Sequence, residues 1–451
     1  MKEALLLFLL TVAAAPAFPN PPASGPAALA FSTFQLDNGL RVIIHNNKRS
    51  KRVFTKVWYE VGSRDEAAGY SGFAHLMEHV AATNATENVG AKEQNETTLA
   101  AGGHSNASTS FDRTDYYLEG DHRYLERFLR ILADQMGFLN GTISADVYRE
   151  ETKHVVEELK QGENQPGGGV FKELLRNVYP AAHPYARLPI GSREDLYARS
   201  AEDARAFHAT YYWPNNAILV ISGNVDVEAA KAMAQRWFGP LARGPQAPRA
   251  AAVDGPSPVS RAVHYDAKSQ TESLLMAWRI PGKGQPGYAE LSLFAGLLGG
   301  GGASRLNDAL VVRRPLLAEV SASLMGQQLG GLFFVEATPN DGVTLEQAEE
   351  AITAELDAML SETLDAQRLK AIARGGQIAA LVASQSNDTV AALAAESLAY
   401  TNKVDPFYTL NAAAKAAEDP AGVARAARQY LKKPDTVLAV KPKPKSEPPK
   451  P

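Results

Sequence analysis

Gly72-Phe73-Ala74-His75-Leu76-Met77-Glu78-His79 carries two histidines four residues apart, with a glutamate beside the second. Leu76 and Met77 are good helix formers and no proline interrupts them, so the stretch reads as helix. On a helix, residues i and i+4 share a face, and His75 and His79 can then offer imidazole nitrogens to one ion. Glu78, three residues beyond His75, projects near the same point. Two neutral imidazoles suit Zn²⁺, and a carboxylate beside such an ion is placed to take a proton from water. The order H-x-x-E-H inverts the commoner H-E-x-x-H. A helix that happens to hold two histidines is the plain alternative.

A catalytic zinc keeps three protein ligands and one open position. The segment from Ser144 to Leu159 reads as a helix with Ser144 as its cap, and it holds Glu150, Glu151, Glu157 and Glu158. Val147, Val155, Val156 and Leu159 mark its apolar face. At about 100° per residue, Glu151 and Glu158 flank that face, and Glu150 and Glu157 point to solvent. Glu158 is the expected third ligand. Glu151, about two turns earlier, is the expected carboxylate behind a ligand, orienting it. His154 competes with Glu158 and is expected to bond locally instead. An acidic, solvated helix is the bland reading of the same residues. His45, His104, His122, His208 and His264 stand alone, as satisfied or surface histidines. The run Gly299 to Gly302 lacks the Gly-Lys-Ser/Thr of a phosphate loop, and there is no Gly-x-Ser-x-Gly elbow.

The chain has 451 residues, a net charge of −4 and no cysteine. That length suggests more than one domain. The absent cysteine excludes disulfides, thiolate metal sites, a cysteine nucleophile and a lipoprotein anchor. No basic stripe points to nucleic acid. Lys2 and the apolar run Ala4 to Ala15 read as a signal peptide over residues 1–17, with small-x-small cleavage sites at Ala13-Ala14-Ala15 or Ala15-Pro16-Ala17. An uncleaved anchor is the alternative, although the run is short for a membrane span. Export to a periplasm follows, with no integral membrane segment after signal removal. Asn84, Asn95 and Asn106 open sequons that matter only in a glycosylating host.

After a Pro/Ala/Gly/Ser spacer over 18–32, Phe34 to Ile44 reads as strand, Asn-Gly turn, strand, and Val53 to Val61 as a buried strand. Glu87 to Glu96 reads as loop, and 106–110 with 115–118 as paired strands. Helices follow at 125–139, 144–159, 170–178, 202–211 and 227–238, with a strand at 216–223. Residues 241–260 are Pro-, Ala- and Gly-rich without periodicity and form the linker between a domain at 33–240 and one at 261–440. The second domain repeats the plan: strands at 273–278 and 331–337, helices at 288–298 and 344–361, a mostly helical stretch at 366–399, and a closing strand at 437–440. It has no H-x-x-E-H. Residues 441–451 read as a disordered Lys/Pro tail.

Several stretches resemble the pitrilysin/insulinase family of zinc metallopeptidases, the inverzincins. The likeness is to its smaller, mitochondrial-processing-peptidase-like bacterial members. Leu36-Asp37-Asn38-Gly39-Leu40-Arg41-Val42 is similar to the family's first strand, and Val57 to Glu66 precedes the metal helix as in many members. Asn106-Ala107-Ser108-Thr109-Ser110 resembles the edge strand that binds substrate backbone. His183-Pro184-Tyr185, Pro189-Ile190-Gly191-Ser192, Tyr212 to Asn216 and Gly223 to Asp226 also fit. The resemblance implies an α+β fold: two homologous α/β-sandwich domains, each a mixed sheet packed with helices, joined by a linker. It also places the third ligand on the second of two glutamates seven apart, which is Glu158, with Glu151 as its partner.

The resemblance further implies a metalloendopeptidase working inside a two-subunit chamber. His75, His79 and Glu158 would hold Zn²⁺, Glu78 would act as base, and peptide would lie extended along Asn106 and Ala107. In the family the second half of the chamber supplies an arginine and a tyrosine. Here Ser304-Arg305-Leu306 and Val311 to Val320 lack the tyrosine, with Ala318 or Glu319 in its place. A heterodimer with a related non-catalytic subunit is therefore expected, and a homodimer is the alternative. The rival of another class is a non-catalytic peptide-binding subunit that kept its zinc site, against which the intact Glu78 argues. A purely structural zinc would want a fourth protein ligand, and only His154 offers one.

Overall fold

At the first turn, Gly39 takes φ +94, a left-handed conformation that favours glycine, and the Asn38 amide donates to the carbonyls of Phe238 and Leu241 at 2.7 and 3.0 Å. The hairpin is thereby pinned to a helix end two hundred residues later. The computed structural model describes residues 29–444. The expected signal peptide, most of the spacer and the tail from residue 445 lie outside the described residues.

The first half contains β1 (Phe31–Gln35), β2 (Arg41–Asn46), β3 (Arg52–Tyr59), α1 (Phe73–Thr83), α2 (Glu93–Ala100), β4 (His104–Thr109), β5 (Thr114–Asp121), α3 (Leu125–Phe138), α4 (Ala145–Glu163), α5 (Val170–Val178), α6 (Arg193–Tyr197), α7 (Ala201–Tyr211), β6 (Ala217–Gly223) and α8 (Val227–Phe238). Its six strands run β1-β2-β6-β3-β5-β4, with β2 and β6 parallel and the other pairs antiparallel. β4 is an edge strand. β6 is buried at every position, which is why it reads as a continuous apolar run.

The second half contains β7 (Arg261–Asp266), β8 (Ser273–Ile280), α9 (Tyr288–Gly299), a π-helical turn at Asn307–Arg313, β9 (Leu317–Gly326), β10 (Gly331–Pro339), α10 (Leu345–Ser361), α11 (Ala366–Ala383), α12 (Asn387–Thr401), α13 (Tyr408–Ala416), α14 (Pro420–Tyr430) and β11 (Thr436–Pro442). Its sheet runs β7-β11-β8-β10-β9, with β7 and β11 parallel. The two halves share one plan of a mixed sheet packed with helices, as expected. Between them, residues 241–260 form no regular element, yet Arg249 ties this segment to Glu60 at 2.9 Å and to Asn216 at 2.8 Å.

Each sheet packs its own helices on one face and borrows a helix from the other half on the other. Ala391, Ala394 and Ala395 of α12 pack on Ile43, Phe54, Trp58, Ile218 and Val220 of the first sheet. Leu174, Leu175 and Val178 of α5 pack on Leu275, Ala277, Leu332, Leu438 and Val440 of the second. The small alanines of α12 let the helix lie close to the sheet.

Several boundaries differ from the sequence reading. β1 starts at Phe31, inside the stretch read as spacer, because Phe31 pairs with His45 and packs against the α12 cluster. β11 continues through Lys441 and Pro442, past the expected start of the tail, since β7 offers a parallel partner as far as Asp266. The stretch 87–96 is not all loop, because α2 opens at Glu93. The helical run 366–399 breaks at Ser384-Gln385-Ser386, where the chain crosses to the first half. β7, β9, α13 and α14 are elements that the sequence reading does not include, although Val423, Ala424, Ala426 and Ala427 give α14 a clear buried face.

Candidate metal centre

The metal helix begins at a glycine for a steric reason. Gly72 has φ +102, and a Cβ there would meet Gly191 Cα and Ile190 O at 3.1 Å. No cap side chain precedes it. Instead the carboxylate of Glu66 accepts from the N–H groups of Gly72 and Ala74 at 3.0 and 2.9 Å, satisfying two orphan donors of the first turn. Burial pushes the Glu66 carboxyl up to about 8, with those two donors working against it. Phe73, Leu76, Met77 and Val80 face the core. Tyr116 donates to the Met77 carbonyl at 3.0 Å and Gln135 to that of Ala81 at 2.9 Å, so α1 is held along its length.

α4 is opened by Ser144, whose hydroxyl accepts from Val147 N–H at 3.2 Å. It buries Tyr148, Glu151, Thr152, Val155, Val156 and Leu159 and packs on α1. That packing brings Glu158 Oε2 to 3.3 Å from His79 Nε2 and 3.7 Å from His75 Nε2. Glu151 is buried and stands behind His79, with its Oε2 3.6 Å from His79 Nδ1. Its other oxygen accepts from the Thr83 hydroxyl at 2.7 Å. His154 bonds Glu151 at 3.1 Å through Nδ1 and keeps an exposed side chain, outside the cluster. Glu150 and Glu157 point outward and pair with Lys153 and Lys160.

The donor set fits a zinc ion. Ligand atoms around a tetrahedral ion with bonds of about 2.0–2.2 Å stand roughly 3.3–3.6 Å apart. His75, His79 and Glu158 present one atom each, all within 4.8 Å of one another, and no other such group of three occurs among the described residues. Burial, with His79 beside it, pushes the His75 imidazole well down, so it is neutral. Burial also works against a proton on His79, but Glu151 and Glu158 outweigh it and lift that imidazole to about 9. The imidazolium proton on Nε2, which faces Glu158, is the one that a bound cation replaces, while Nδ1–H stays toward Glu151.

Glu78 is part-buried beside the cluster, and its Oε2 has no hydrogen-bond partner. Burial pushes its carboxyl up to about 7, against the Thr109 hydroxyl and His79. A buried oxygen left without a donor is costly unless something else binds it, and a carboxyl near 7 can both accept and return a proton. Thr109 lies on β4, so the edge strand runs beside the base. Asn106 is exposed on that strand and Ala107 is buried.

The second half brings no side chain of the notable segment 304–320 into this cluster. Arg305 is held at 2.6 Å by Glu355 and at 3.2 Å by Glu362, and Ala318 and Glu319 lie exposed on β9. A groove of about 660 Å³ between Tyr179, His183, Arg279 and Asp435 is a separate feature at the junction of the halves. Glu158 keeps 47% of its side chain exposed, so the cluster is open to solvent. Sequence reasoning missed Glu66, Thr109 and Tyr116. Only Glu66 carried a local signal, one of two adjacent carboxylates, Asp65 and Glu66, shortly before a helix without a cap.

Residues 41–186 match the profile described as Insulinase (Peptidase family M16), and residues 199–375 match that described as Peptidase M16 inactive domain. The chain is 29% identical over 330 residues to the zinc protease PqqE of Helicobacter pylori, covering 72% of this chain and 73% of that protein. It is 33% identical over 308 residues to an uncharacterized zinc protease of Mycobacterium bovis, covering 67% of this chain and 69% of the relative. The crystal structure of a protease from Helicobacter pylori superposes with a TM-score of 0.83 at 27% identity, covering 93% of this chain and all of that one.

Proposed function

The chain belongs to the insulinase family of peptidases, peptidase family M16, and on that footing we propose that it is a zinc-dependent metalloendopeptidase that hydrolyses peptides or unfolded segments. The observation that carries this reading is the meeting of His75 Nε2, His79 Nε2 and Glu158 Oε2 beside the partnerless Oε2 of Glu78. His75, His79 and Glu158 would hold the ion. Bound there, zinc supplies Lewis acidity toward a carbonyl and a water of lowered pKa. Glu78 takes the proton of the attacking water and returns it to the leaving amine. Its pKa near 7 suits both transfers. Glu151 holds His79 in one tautomer and orientation from behind. Peptide docks extended on the free edge of β4 at Asn106 and Ala107, through main-chain hydrogen bonds that tolerate many sequences.

The leader-like first residues support export to a periplasm. Among the described residues no helix is long and apolar enough to cross a membrane. The open face of Glu158 and the engagement of Arg305 within its own half support a chamber closed by a second, related subunit. That subunit supplies the arginine and the tyrosine, and a second copy of this chain is the other candidate. Glu78→Gln tests the reading: zinc is retained at one per chain and hydrolysis of a quenched fluorescent peptide is lost. Wild-type protein holding zinc but hydrolysing no peptide, alone or with a related subunit, would instead make it a peptide-binding subunit.

A further inference from the structure

The turn between β4 and β5 reaches the junction of the two halves, and one buried carboxylate fastens it there. Asp112 Oδ1 accepts from Arg64 Nη1 at 3.0 Å and from the Tyr185 hydroxyl at 2.6 Å, both in the first half. Its Oδ2 accepts from the Tyr400 hydroxyl of α12 at 2.5 Å and from Gln328 N–H of the β9–β10 turn at 2.8 Å, both in the second. Tyr185 in turn accepts from Leu329 N–H at 2.9 Å, and Arg64 donates to the Gln328 amide oxygen at 2.5 Å. Asp112 is only 2% exposed. Beside it, Phe111 packs with Leu332 and Leu438 of the second sheet.

The same turn is locked to the segment that leads into the metal helix. Ser63 and Arg64 N–H groups donate to the Ser110 and Phe111 carbonyls at 3.1 and 3.0 Å. The approach is so close that a Cβ on Gly62 would meet Ser110 O at 2.4 Å. Two residues beyond Arg64, Glu66 caps α1. The edge strand and the metal helix therefore share one anchor, and half of its donors come from the half without a metal site.

We propose that Asp112 is a positioning residue for peptide binding. Through Tyr400 and Gln328, the second half sets where the β4 edge lies against α1, and so contributes to peptide affinity without touching peptide. This rests on β4 as the docking strand. Apolar packing would join two domains as well as a buried charge does. What a carboxylate with four donors adds is a single geometry at the turn, because each oxygen must meet two fixed partners at once.

The test measures binding of a fluorescent, unfolded peptide to protein carrying Glu78→Gln, so no turnover is needed. Adding Tyr400→Phe, which removes one hydroxyl from the second half, is expected to weaken binding about fivefold, with one zinc per chain retained. Backbone hydrogen exchange across residues 104–121 should quicken about tenfold. Asp112→Asn, whose amide nitrogen cannot accept from Tyr400 and Gln328, should do more, and Tyr400→Phe carries the test if that variant does not fold. Asp435→Asn is the control: Asp435 also lies at the junction of the halves, but its side chain bonds Ser257 and Arg279 and not the hairpin. It should lower the melting temperature and leave peptide affinity unchanged. Affinity and exchange in Tyr400→Phe that match the control would overturn the proposal. A wild type that hydrolyses nothing, with the Tyr400→Phe effect intact, would sink the peptidase reading and keep this one.

Discussion

The two halves place a helix at the same point of the same plan, after the central antiparallel strand and before the edge strand, and fill it differently. α1 sets His75, Glu78 and His79 among Phe73, Leu76, Met77 and Val80, whereas α9 buries Leu291, Leu293, Phe294, Ala295, Leu297 and Leu298. The fold accepts either filling because the sheet needs only an apolar stripe against it. The polar face of α1 is met by Glu151 and Glu158 of α4, which face the histidines, and by Thr109 of β4, which faces Glu78. The difference teaches that chemistry here is an addition to one copy of a scaffold, and that the other copy is free to act as support.

Replacing His75 by Ala should break the comparison most fully. Zinc content should fall from one per chain to near zero by elemental analysis, and peptide hydrolysis should vanish with it. Glu78→Gln should keep the metal and lower kcat by about a thousandfold or more, since general acid–base catalysis is commonly worth 10²–10⁴. Glu151→Gln should weaken zinc affinity by about tenfold to a hundredfold in a chelator competition, because His79 loses its orienting carboxylate. In the other half, Phe294→Ala should cost about 3–5 kcal/mol in chemical denaturation while the folded protein still binds one zinc. Zinc loss in that folded variant would contradict the division of labour.

A smaller effect is expected from pH. Eight of the nine histidines precede residue 209, so acid should act mainly on the first half. Burial pushes His208 down to about 4 from an ordinary 6.5. Its Nδ1 faces the Asn140 amide at 3.2 Å, and a second ring proton there would oppose that donor. The folded state thus favours the neutral ring. The contribution is present above pH 6.5 and is lost as pH falls toward 4. Denaturation midpoints followed from pH 7 to 4 should drop less steeply in His208→Asn than in wild type.

Much of the site was legible without coordinates because its signals are local or periodic. His75 and His79 share a face by helical spacing alone, and the apolar residues of α4 put Glu151 and Glu158 at its border. Asn38-Gly39 announced its turn for the same kind of reason. β9 was not legible, since Leu317 to Gly326 mixes polar and apolar residues at an edge where no face is strictly buried. Glu66, Thr109 and Tyr116 act on α1 across distances in the chain that no pattern spans.

The amino-acid order by itself determined most of the helices, the first hairpin turn and the faces of α1 and α4, since these depend on neighbours within a few residues. Only tertiary packing decided that α5 and α12 would each cover the other half's sheet, and that Arg64, Tyr185, Gln328 and Tyr400 would converge on Asp112. The contacts to Asp112 alone join residues up to 288 positions apart. They arise because two half-covered sheets bury the most apolar surface by exchanging helices, a gain that belongs to the assembled chain and to no segment of it.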